Sequence, residues 1–391
     1  FLIMFAFFIH ALVNNKFLGH AIVILTYIIN IAMVTNGFEH LLYLLGETPT
    51  FTLSDMNGFG HFMKAVHWYQ LYWILIGLML MLIAGQLWVR GTDFNLKSRL
   101  IIAKNRFTTQ SKIVLTFLLL VSLACGSFIY YNTTKLNSYL PKNERRAVMA
   151  AFERKYKKYE KVQQPRITSV NNTVDIFPME RKVSFKGKWW LKNIHSKPID
   201  TIIYNLAETF NITNKKIDFS ISSKFIVEND FYGFYVLKLS KPLQAGDSME
   251  LNFSYDVVYR GFENEVSQTA IVYNGTFFNS SMFPFFGYNA EMEIADNDER
   301  KKEHLPKKAR NYAITDSSRY NNPYISNDAD WINFETTVST VENQIAIAPG
   351  YLQRQWSSNG RKCFHYKMDA PILNFYSYLS AEYMIKKSKW N

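Results

Sequence analysis

The chain has 391 residues, of which 48% are hydrophobic and 19% are charged, and its formal net charge is +12. Its two cysteines, Cys125 and Cys363, exclude a disulfide framework and a thiolate metal cluster. Residues 162–391 hold 27 basic and 25 acidic side chains, so this region does not concentrate the cations that binding to nucleic-acid phosphates requires. We therefore expect no nucleic-acid partner.

Four apolar runs predict an α-helical transmembrane bundle over residues 1–135. The runs cover about residues 1–13, 18–34, 66–89 and 113–131. The last three approach or exceed the roughly 20 residues that a helix needs to cross a bilayer. The first run is shorter and lacks the basic leading segment of a signal peptide. We interpret it as the end of a membrane helix.

The basic residues of the short loops predict the orientation of this bundle. The loop over residues 90–112 carries six Lys or Arg and one acid, Asp93, whereas the loop over residues 36–63 carries acids and no Lys or Arg. We therefore place the basic loop in the cytoplasm and residues after about 135 outside it. Lys135 and Lys142 oppose this orientation, but long domains translocate largely regardless of their charge. The prediction is a multi-pass protein of the cytoplasmic (inner) membrane, in contact with membrane lipid.

Two histidines in or beside the apolar runs, His20 and His67, are candidates for a functional role because ionisable groups are rare at membrane depth. The simpler interpretation is that both lie at the headgroups, His20 near a helix start and His67 next to Trp68. We prefer it because no Asp, Glu, Lys or Arg lies within any of the four runs to complete a proton relay.

The connector, residues 136–164, contains a predicted amphipathic helix over residues 143–161. Asn143 follows Pro141 and is a candidate N-cap, and lysines gather towards the C-terminal end, where cations suit the helix dipole. Two interpretations of its apolar stripe stay open. The helix either rests on anionic headgroups or packs on the domain that follows. The stripe consists of Val148, Phe152, Tyr156 and Tyr159.

Residues 165–391 change to a period of two, which predicts an all-β sandwich with a saddle-like form. Residues 183–192 alternate between apolar and mostly polar side chains, as a strand with one buried face does. Asn359 and Gly360 predict a hairpin turn because both tolerate positive φ, and residues 242–246 predict another turn. Further strand-like runs cover residues 201–206, 216–221, 234–239, 249–258, 269–278, 334–346, 351–356 and 362–368.

Common catalytic motifs are absent from the sequence. The sequence contains no H-E-x-x-H, G-x-S-x-G or P-loop pattern. Residues 296–310 form a dense mixed-charge segment, in which Asp296, Asp298, Glu299 and His304 are conceivable metal ligands. Their spacing matches no metal loop, and neighbouring lysines would oppose a cation, so we predict a solvated loop or a short surface helix. We assign no catalytic, cofactor-binding or metal-binding residue to this chain.

Three segments carry a family resemblance, and the order of the amphipathic helix and these segments is part of it. They are residues 164–193, 243–265 and, most specifically, 277–310. The chain resembles bacterial proteins that fuse a permease-like membrane region of the ABC exporter type to an aminopeptidase N-like zinc metallopeptidase. In that family a G-x-x-x-x-L-x-F-x-Y pattern lies in the N-terminal saddle domain. Gly246, Leu251, Phe253 and Tyr255 echo it, and residues 348–352 echo a common turn.

The resemblance implies a membrane anchor and a non-catalytic β domain of a membrane-bound zinc aminopeptidase that hydrolyses peptides. The G-x-M-E-N and H-E-x-x-H segments of active members lie downstream of the saddle, so we expect zinc in a missing C-terminal peptidase domain and no activity from this chain alone. Members often place a Gln or Glu just before the segment matched by Met282, Phe283 and Pro284, and this chain does not. The apolar residues over 372–379 indicate that further protein packs there.

Two other functions stay open. In the first, the membrane region is an ABC-type transporter permease that needs a separate ATPase subunit, and the β domain binds substrate or docks a partner. In the second, the chain is only a membrane-tethered β sandwich that binds a partner. An intact zinc motif downstream would favour the peptidase, and a degenerate one would favour the transporter.

Overall fold

The computed structural model describes residues 1–13, 15–55, 57–88, 96–207, 209–308, 313–315, 317, 330–386 and 388. The chain divides into two compact units. The helical unit comprises residues 1–143 and 261–268, and the β unit comprises residues 144–260 and 269–391. Most of the connector thus belongs to the β unit.

The helical unit contains three helices that are long and apolar enough to cross a membrane, among the residues that the structure describes. They match the predicted runs 18–34, 66–89 and 113–131, although Val89 lies outside the described residues. The first run forms a shorter helix. The helices are α1 (Leu2–Leu12), α2 (Lys16–Thr35), α3 (Gly60–Leu87), α4 (Leu96–Arg106) and α5 (Thr109–Tyr130), which a π-helical turn extends over Tyr131–Lys135.

Side-chain caps fix where two of these helices begin. The Asn15 carboxamide accepts hydrogen bonds from the backbone N–H groups of Phe17 and Leu18 at 3.0 and 3.1 Å, and Thr108 accepts one from Ser111 at 3.2 Å. These contacts satisfy donors that a helix start leaves unpaired. Helix α4 occupies part of the predicted basic loop, whose residues Arg90 and Asp93 lie outside the described residues.

The helical unit packs α3 against α5. Ala65, Tyr69 and Leu75 of α3 meet Cys125 and Ile129 of α5 in one buried cluster. Apolar side chains on the opposite faces stay exposed, which is the pattern expected of helices that contact lipid. They include Ile24, Leu25 and Ile28 of α2 and Phe117 and Leu120 of α5.

The β unit is mostly β structure with mixed sheets. Its helices are α6 (Lys142–Tyr156), which begins at the end of the helical unit, and α7 (Asn297–Lys302). Its strands are β1 (Arg166–Phe177), β2 (Lys182–Lys192), β3 (Ile199–Asn205), β4 (Ile212–Phe219), β5 (Ser223–Asn229), β6 (Phe234–Leu243), β7 (Ser248–Val258), β8 (Thr276–Asn279), β9 (Phe285–Phe286), β10 (Trp331–Val341), β11 (Ile345–Ile347), β12 (Tyr351–Ser358), β13 (Arg361–Lys367), β14 (Ile372–Leu373) and β15 (Ser377–Ala381).

The largest sheet has the order β12-β13-β10-β1-β2-β7-β4, with β14 beside β10, and two smaller sheets have the orders β11-β15-β8 and β5-β6-β3-β9. Strands β1 and β10 pair in parallel, from Ser169 with Asn333 to Asp175 with Ser339, and the other pairs are antiparallel. Among the residues that the structure describes, the predicted all-β sandwich is therefore a mostly β unit with a mixed main sheet and the helices α6 and α7. Strands β1, β5, β9, β14 and β15 were not among the predicted runs, and the run predicted over residues 269–278 is a strand only from Thr276.

The predicted alternation in β2 holds. Val183, Phe185, Trp189 and Leu191 are buried. Gly187 occupies the middle position on this face, because the Phe253 ring lies over it, with Cζ 2.1 Å from where a Cβ atom would lie. The predicted turn between β12 and β13 also forms, with positive φ at both residues, Asn359 and Gly360.

The core of the β unit lies between the main sheet and the smaller sheets. This core contains hydrogen-bonded polar side chains as well as apolar ones. Trp189 Nε1 donates to Asn172 Oδ1 at 2.8 Å, and Asn172 Nδ2 donates to the Tyr378 hydroxyl at 3.2 Å. Thr336 Oγ1 donates to the Asn172 carbonyl at 3.0 Å and also lies 3.0 Å from the Tyr378 hydroxyl. This network links β1, β2 and β10 to β15.

Candidate functional site

Helix α6 packs its apolar stripe on the β unit. Phe152 and Tyr156 are fully buried in a cluster with Ile203, Phe234 and Tyr288. The Tyr156 hydroxyl also accepts a hydrogen bond from Asn229 Nδ2 at 2.8 Å. This geometry favours the second interpretation of the stripe, packing on the domain that follows, because the aromatic residues are not available to membrane headgroups.

The prediction that Asn143 is the N-cap of α6 is wrong. The helix begins at Lys142, so Asn143 is its second residue. The backbone N–H of Lys142 donates instead to the Glu39 carboxylate at 2.9 Å, and a carboxylate suits the positive end of the helix dipole. The sequence could not indicate this cap because Glu39 lies far away in the chain.

The mixed-charge segment carries a buried ion pair that sequence analysis missed. Asp296 caps α7, as its carboxylate accepts from the N–H groups of Asp298 and Glu299 at 2.9 Å. Arg300 faces inward and forms a bidentate pair with Glu153 of α6, at 2.8 and 2.7 Å. The two residues are only 3% and 5% exposed. The predicted short helix is therefore present, but its central arginine is not solvated, and Arg310 lies outside the described residues.

Glu293 forms a second buried charged group beside α6. Its carboxylate contacts the ammonium groups of Lys157 at 2.5 Å and Lys308 at 2.6 Å, and the Tyr288 hydroxyl at 3.0 Å. Burial alone would raise the pKa of Glu293, but the two ammonium groups and the hydroxyl outweigh it and lower that pKa below its usual value. Glu293 is therefore ionised and holds the C-terminal turn of the connector.

The segment at Met282, Phe283 and Pro284 has a structural role. Asn279 caps the short helix over Ser280–Met282 by accepting from Ser281 N at 2.9 Å. The Met282 carbonyl accepts from the buried Tyr255 hydroxyl at 2.7 Å, and the Phe283 ring lies in the core, 4.6 Å from the Phe185 ring. No side chain of this segment takes the place of the substrate-binding Gln or Glu that the resemblance implies.

The histidines singled out by the sequence lie apart. His20 and His67 are exposed on α2 and α3, and the His20 ring lies 4.5 Å from the ring of His10. His304 has a positive φ just after α7, and a further histidine, His365 of β13, contacts Glu335 at 3.1 Å. Among the described residues no group of three His, Cys, Asp or Glu could hold a metal ion, so the residues present do not fit a zinc site.

His40, which sequence analysis did not single out, is buried in the loop after α2. Its Nδ1 accepts from Leu42 N at 3.2 Å, which leaves the proton on Nε2, 3.0 Å from the Thr133 hydroxyl. Burial lowers the pKa of His40 to about 4. The ring is therefore neutral and structural at physiological pH.

A cavity of about 450 Å³ lies in the helical unit, at the C-terminal end of α2. Four residues on one face of α2 form one wall at the helical spacing i, i+3, i+4 and i+7, and the loop after α2 and Glu265 form the others. The volume is within the range of small-molecule sites. The lining residues are Tyr27, Asn30, Ile31, Val34, Glu39, Leu41, Leu44, Glu47 and Glu265.

Hydrogen bonds hold the walls of this cavity in place. Asn30 Oδ1 accepts from Leu45 N at 3.0 Å, and Trp73 Nε1 donates to the Glu47 carbonyl at 3.0 Å. Asn264, which is buried, accepts from Leu41 N at 3.1 Å and donates to the Glu39 carbonyl at 3.3 Å. Because hydrogen bonds connect each wall to a helix or to a buried amide, the cavity is part of the folded structure of the unit.

The charged residues that line the cavity are acidic. Three of its nine lining residues are glutamates, and none is Lys, Arg or His. Burial raises the pKa of the neighbouring Tyr139, and the charges of Glu39 and Glu265 add to this effect. In the sequence, the acids of this loop indicate only the orientation of the bundle. They do not point to the cavity, because Asn30 is a single polar residue inside an apolar run and Glu265 is distant in sequence.

The comparisons with known proteins give a partial structural likeness. No protein-family model and no curated protein matches the chain. Among solved structures it is similar to the M1 zinc metallopeptidase from Deinococcus radiodurans, with 13% identity and a TM-score of 0.33, over 56% of this chain and 43% of that chain. A mutant of that metallopeptidase bound to a Tyr-Ser-Ala substrate gives 13% identity and a TM-score of 0.33, over 56% and 42%.

A two-domain M1 zinc metallopeptidase mutant bound to L-arginine gives 14% identity and a TM-score of 0.31, over 55% of this chain and 42% of that chain. The chain therefore spans less than half the length of the metallopeptidases it matches.

Proposed function

We propose that this chain supplies the membrane anchor and a non-catalytic β domain of a membrane-bound zinc aminopeptidase. The observation that carries the proposal is the way residues 277–308, the described part of the segment with the most specific resemblance, are built into the β unit. Phe283 fills the core, and Arg300 binds Glu153 of the connector at 2.7 and 2.8 Å. The segment thus forms a fixed part of the frame of the domain.

In this proposal the zinc-dependent chemistry belongs to another part of the protein. The described residues hold no set of metal ligands, so we assign no step of peptide hydrolysis to them. Zinc and the peptide substrate would belong to a peptidase domain outside these 391 residues. Helices α2, α3 and α5 would anchor the protein in the inner membrane, because within the described part of the chain these three are long and apolar enough to span it.

A second candidate function is an exporter permease that works with a separate ATPase subunit. The observation that favours it is the cavity at the end of α2, because a substrate-sized cavity with both apolar and charged walls suits a transported molecule. In this case the β unit would gather substrate or dock a partner.

Reading the gene beyond the codon for Asn391 and purifying the complete product separates the two candidates. An aminopeptidase is expected to bind zinc and to hydrolyse aminoacyl anilides, and a chelator is expected to abolish that activity. The 391-residue chain, purified in parallel, is the control and should be inactive. A product without zinc ligands, or with activity that survives chelation, would contradict the proposal and leave the permease.

Cysteine labelling tests the orientation. In a background without native cysteines, Ser358→Cys in the β unit should react with an impermeant maleimide in right-side-out vesicles. Asn105→Cys in α4 should react only after the vesicles are opened, and both residues are exposed. Labelling in the opposite order would contradict the predicted topology.

A further inference from the structure

Two histidines of the helical unit meet where α1 ends and α2 begins. His10 is two residues before the end of α1, and His20 is four residues after the start of α2. The connection between the two helices spans only residues 13–15, and so short a connection makes neighbouring helices antiparallel. The ring centroids of His10 and His20 lie 4.5 Å apart, and the ring planes are inclined at 71°.

Gly19 makes this close approach possible. A Cβ atom on residue 19 would lie 2.5 Å from His10 Nδ1 and 2.7 Å from His10 Cε1, so a larger residue would displace the ring. Gly19 is buried, and the Nδ1 edge of the His10 ring packs against it. The Nε2 atom is therefore the nitrogen of His10 that remains available to a ligand.

The two imidazoles have no competing polar contacts with the protein. Within the part of the chain that the structure describes, neither ring takes part in a hydrogen bond or an ion pair. Lys16 is the one charged residue in the sequence from 1 to 38, and its ammonium group lies 5.0 Å from the centroid of the Phe17 ring. Nitrogen lone pairs of both histidines can therefore bind an external ligand.

The separation of the rings fits two imidazoles that share one metal ion. A metal–nitrogen bond is about 2.0–2.1 Å long, and the ring centroid lies about 1.1 Å beyond the nitrogen. The two centroids are therefore about 4.5 Å apart at an N–metal–N angle of about 90°, and about 5.2 Å apart at the tetrahedral angle that zinc prefers. The observed 4.5 Å matches the right angle, which is typical of planar Cu²⁺ and Ni²⁺ sites.

We propose that His10 and His20 bind a divalent transition-metal ion with planar coordination, through Nε2 of His10 and one ring nitrogen of His20. Water completes the coordination. The bound ion links the end of α1 to the start of α2 and stabilises this helical hairpin, because binding to the folded arrangement alone favours it. The proposal does not depend on the peptidase proposal, since it uses only α1 and α2. Cu²⁺ is the probe, because it binds nitrogen ligands most tightly among the divalent first-row metals.

Pulsed EPR of Cu²⁺ tests the proposal on the full chain, prepared without a histidine tag and reconstituted in phosphatidylcholine vesicles. Cu²⁺ is added below one equivalent, so that it occupies the tightest site. The remote nitrogen of each bound imidazole modulates the spin echo, and two imidazoles on one Cu²⁺ add combination frequencies that a single imidazole does not give. We expect the two-imidazole signal from the wild-type chain. A wild-type spectrum with one imidazole or none would overturn the proposal.

Variants test which histidines bind the ion. His10→Gln and His20→Gln should each reduce the signal to one imidazole, whereas His67→Gln, at an exposed position of α3, should keep the signal of two. The melting temperature of each variant without Cu²⁺ establishes that it is folded. A two-imidazole signal that survives in folded His10→Gln and His20→Gln proteins would place the ion at other histidines and overturn the proposal.

Gly19→Ala tests the geometry with both histidines intact. The added methyl group takes the space of the His10 ring edge, so the ring should move away and Cu²⁺ should keep only one imidazole. Gly85→Ala in α3 is the control, because no atom lies within 4 Å of its added Cβ, and it should keep the signal of two. Equal two-imidazole signals from folded Gly19→Ala and Gly85→Ala proteins would overturn the proposed geometry.

Discussion

The Glu153 carboxylate and the Arg300 guanidinium meet face to face, with N···O distances of 2.7 and 2.8 Å. Two further N–H groups of Arg300 are also used, since Nε donates to the carbonyl oxygen of Pro306 at 2.7 Å and Nη1 donates to that of Ile294 at 2.8 Å. A buried ion pair is tolerated when every hydrogen-bonding group has a partner. The connector helix is therefore fixed by the geometry of a charge pair as well as by its apolar stripe.

Breaking this pair should destabilise the β unit strongly. Glu153→Ala leaves Arg300 buried without its counter-ion, and we expect a loss of about 3–5 kcal/mol in unfolding free energy. This loss is measured by thermal unfolding of the full chain in nanodiscs, with limited proteolysis as the readout of unfolding. Glu144→Ala on the exposed face of the same helix is the control, with a change within about 0.5 kcal/mol.

The double variant Glu153→Leu with Arg300→Met should recover much of the loss, because an apolar pair of similar volume needs no desolvation of charge. If Glu153→Ala unfolds at the same temperature as Glu144→Ala, the buried pair contributes nothing to stability and the connector is held by its aromatic residues alone.

The contact between Gly187 and Phe253 makes a sharp test of the β2–β7 register. A Cβ atom on residue 187 would lie 2.1 Å from Phe253 Cζ and 2.3 Å from Cε1. Gly187→Ala should therefore destabilise the chain by about 1–3 kcal/mol through overpacking, although alanine restricts the unfolded chain more than glycine does.

Combining Gly187→Ala with Phe253→Leu should restore part of the stability, since the smaller side chain leaves room for the methyl group. Gly85→Ala in α3 is the matched control, because no atom lies within 4 Å of its added Cβ, and it should be neutral or stabilise the helix by up to about 1 kcal/mol. A neutral effect of Gly187→Ala would show that the two strands pair in another register.

His40 gives the stability of the helical unit a dependence on pH. Its pKa falls from about 6.5 to about 4 on folding, so the unfolded chain binds more protons between these values. The contribution of the neutral His40 ring to the free energy of unfolding is therefore fully present above about pH 6.5. It is lost as the pH drops towards 4, by at most about 1.4 kcal/mol per pH unit. Melting temperatures of the full chain across this range measure the slope.

His40→Gln should flatten this slope, because it removes the group that the folded protein keeps neutral. His67→Gln, at an exposed position of α3, should keep the slope of the wild-type chain. An equal slope for His40→Gln and the wild type would assign the acid sensitivity to other groups.

Local patterns predicted the parts of this fold that depend on local physics. Period-two alternation predicted β2, two residues that tolerate positive φ predicted the turn at Asn359 and Gly360, and apolar length predicted three candidate spans. The parallel pairing of β1 with β10 joins residues about 164 positions apart, and no local pattern specifies such a partner. Strand β1 is also rich in asparagine, a residue type that disfavours strands. Only the tertiary contacts of the folded unit give the Asn172 side chain its hydrogen-bond partners.

The same distinction applies to the candidate site. Arg300 and Glu153 appear in the sequence as two members of charged clusters, and only the fold shows that they leave water together. The cavity brings Glu265 to residues of α2 and the following loop, more than 200 positions earlier. An asparagine inside an apolar run, such as Asn30, was the one local signal, because polar groups in membrane helices are usually buried and functional.

The polar network around Asn172 should be the most sensitive point of the core. Asn172, Thr336 and Tyr378 are fully buried. Asn172→Ala removes the acceptor of Trp189 Nε1, which lies 2.8 Å from Oδ1, and leaves a buried donor unpaired. We expect a loss of about 2–4 kcal/mol from the unpaired donor and the lost contacts, measured as a lower melting temperature of the full chain.

Asn171→Ala is the matched control, because the neighbouring residue faces the opposite, exposed side of β1, and it should change stability by less than about 0.5 kcal/mol. Tyr378→Phe removes one hydroxyl from the same network and should cost about 1 kcal/mol. An Asn172→Ala protein as stable as the Asn171→Ala protein would mean that water replaces the amide, and the link between β2 and β15 would then be apolar packing alone.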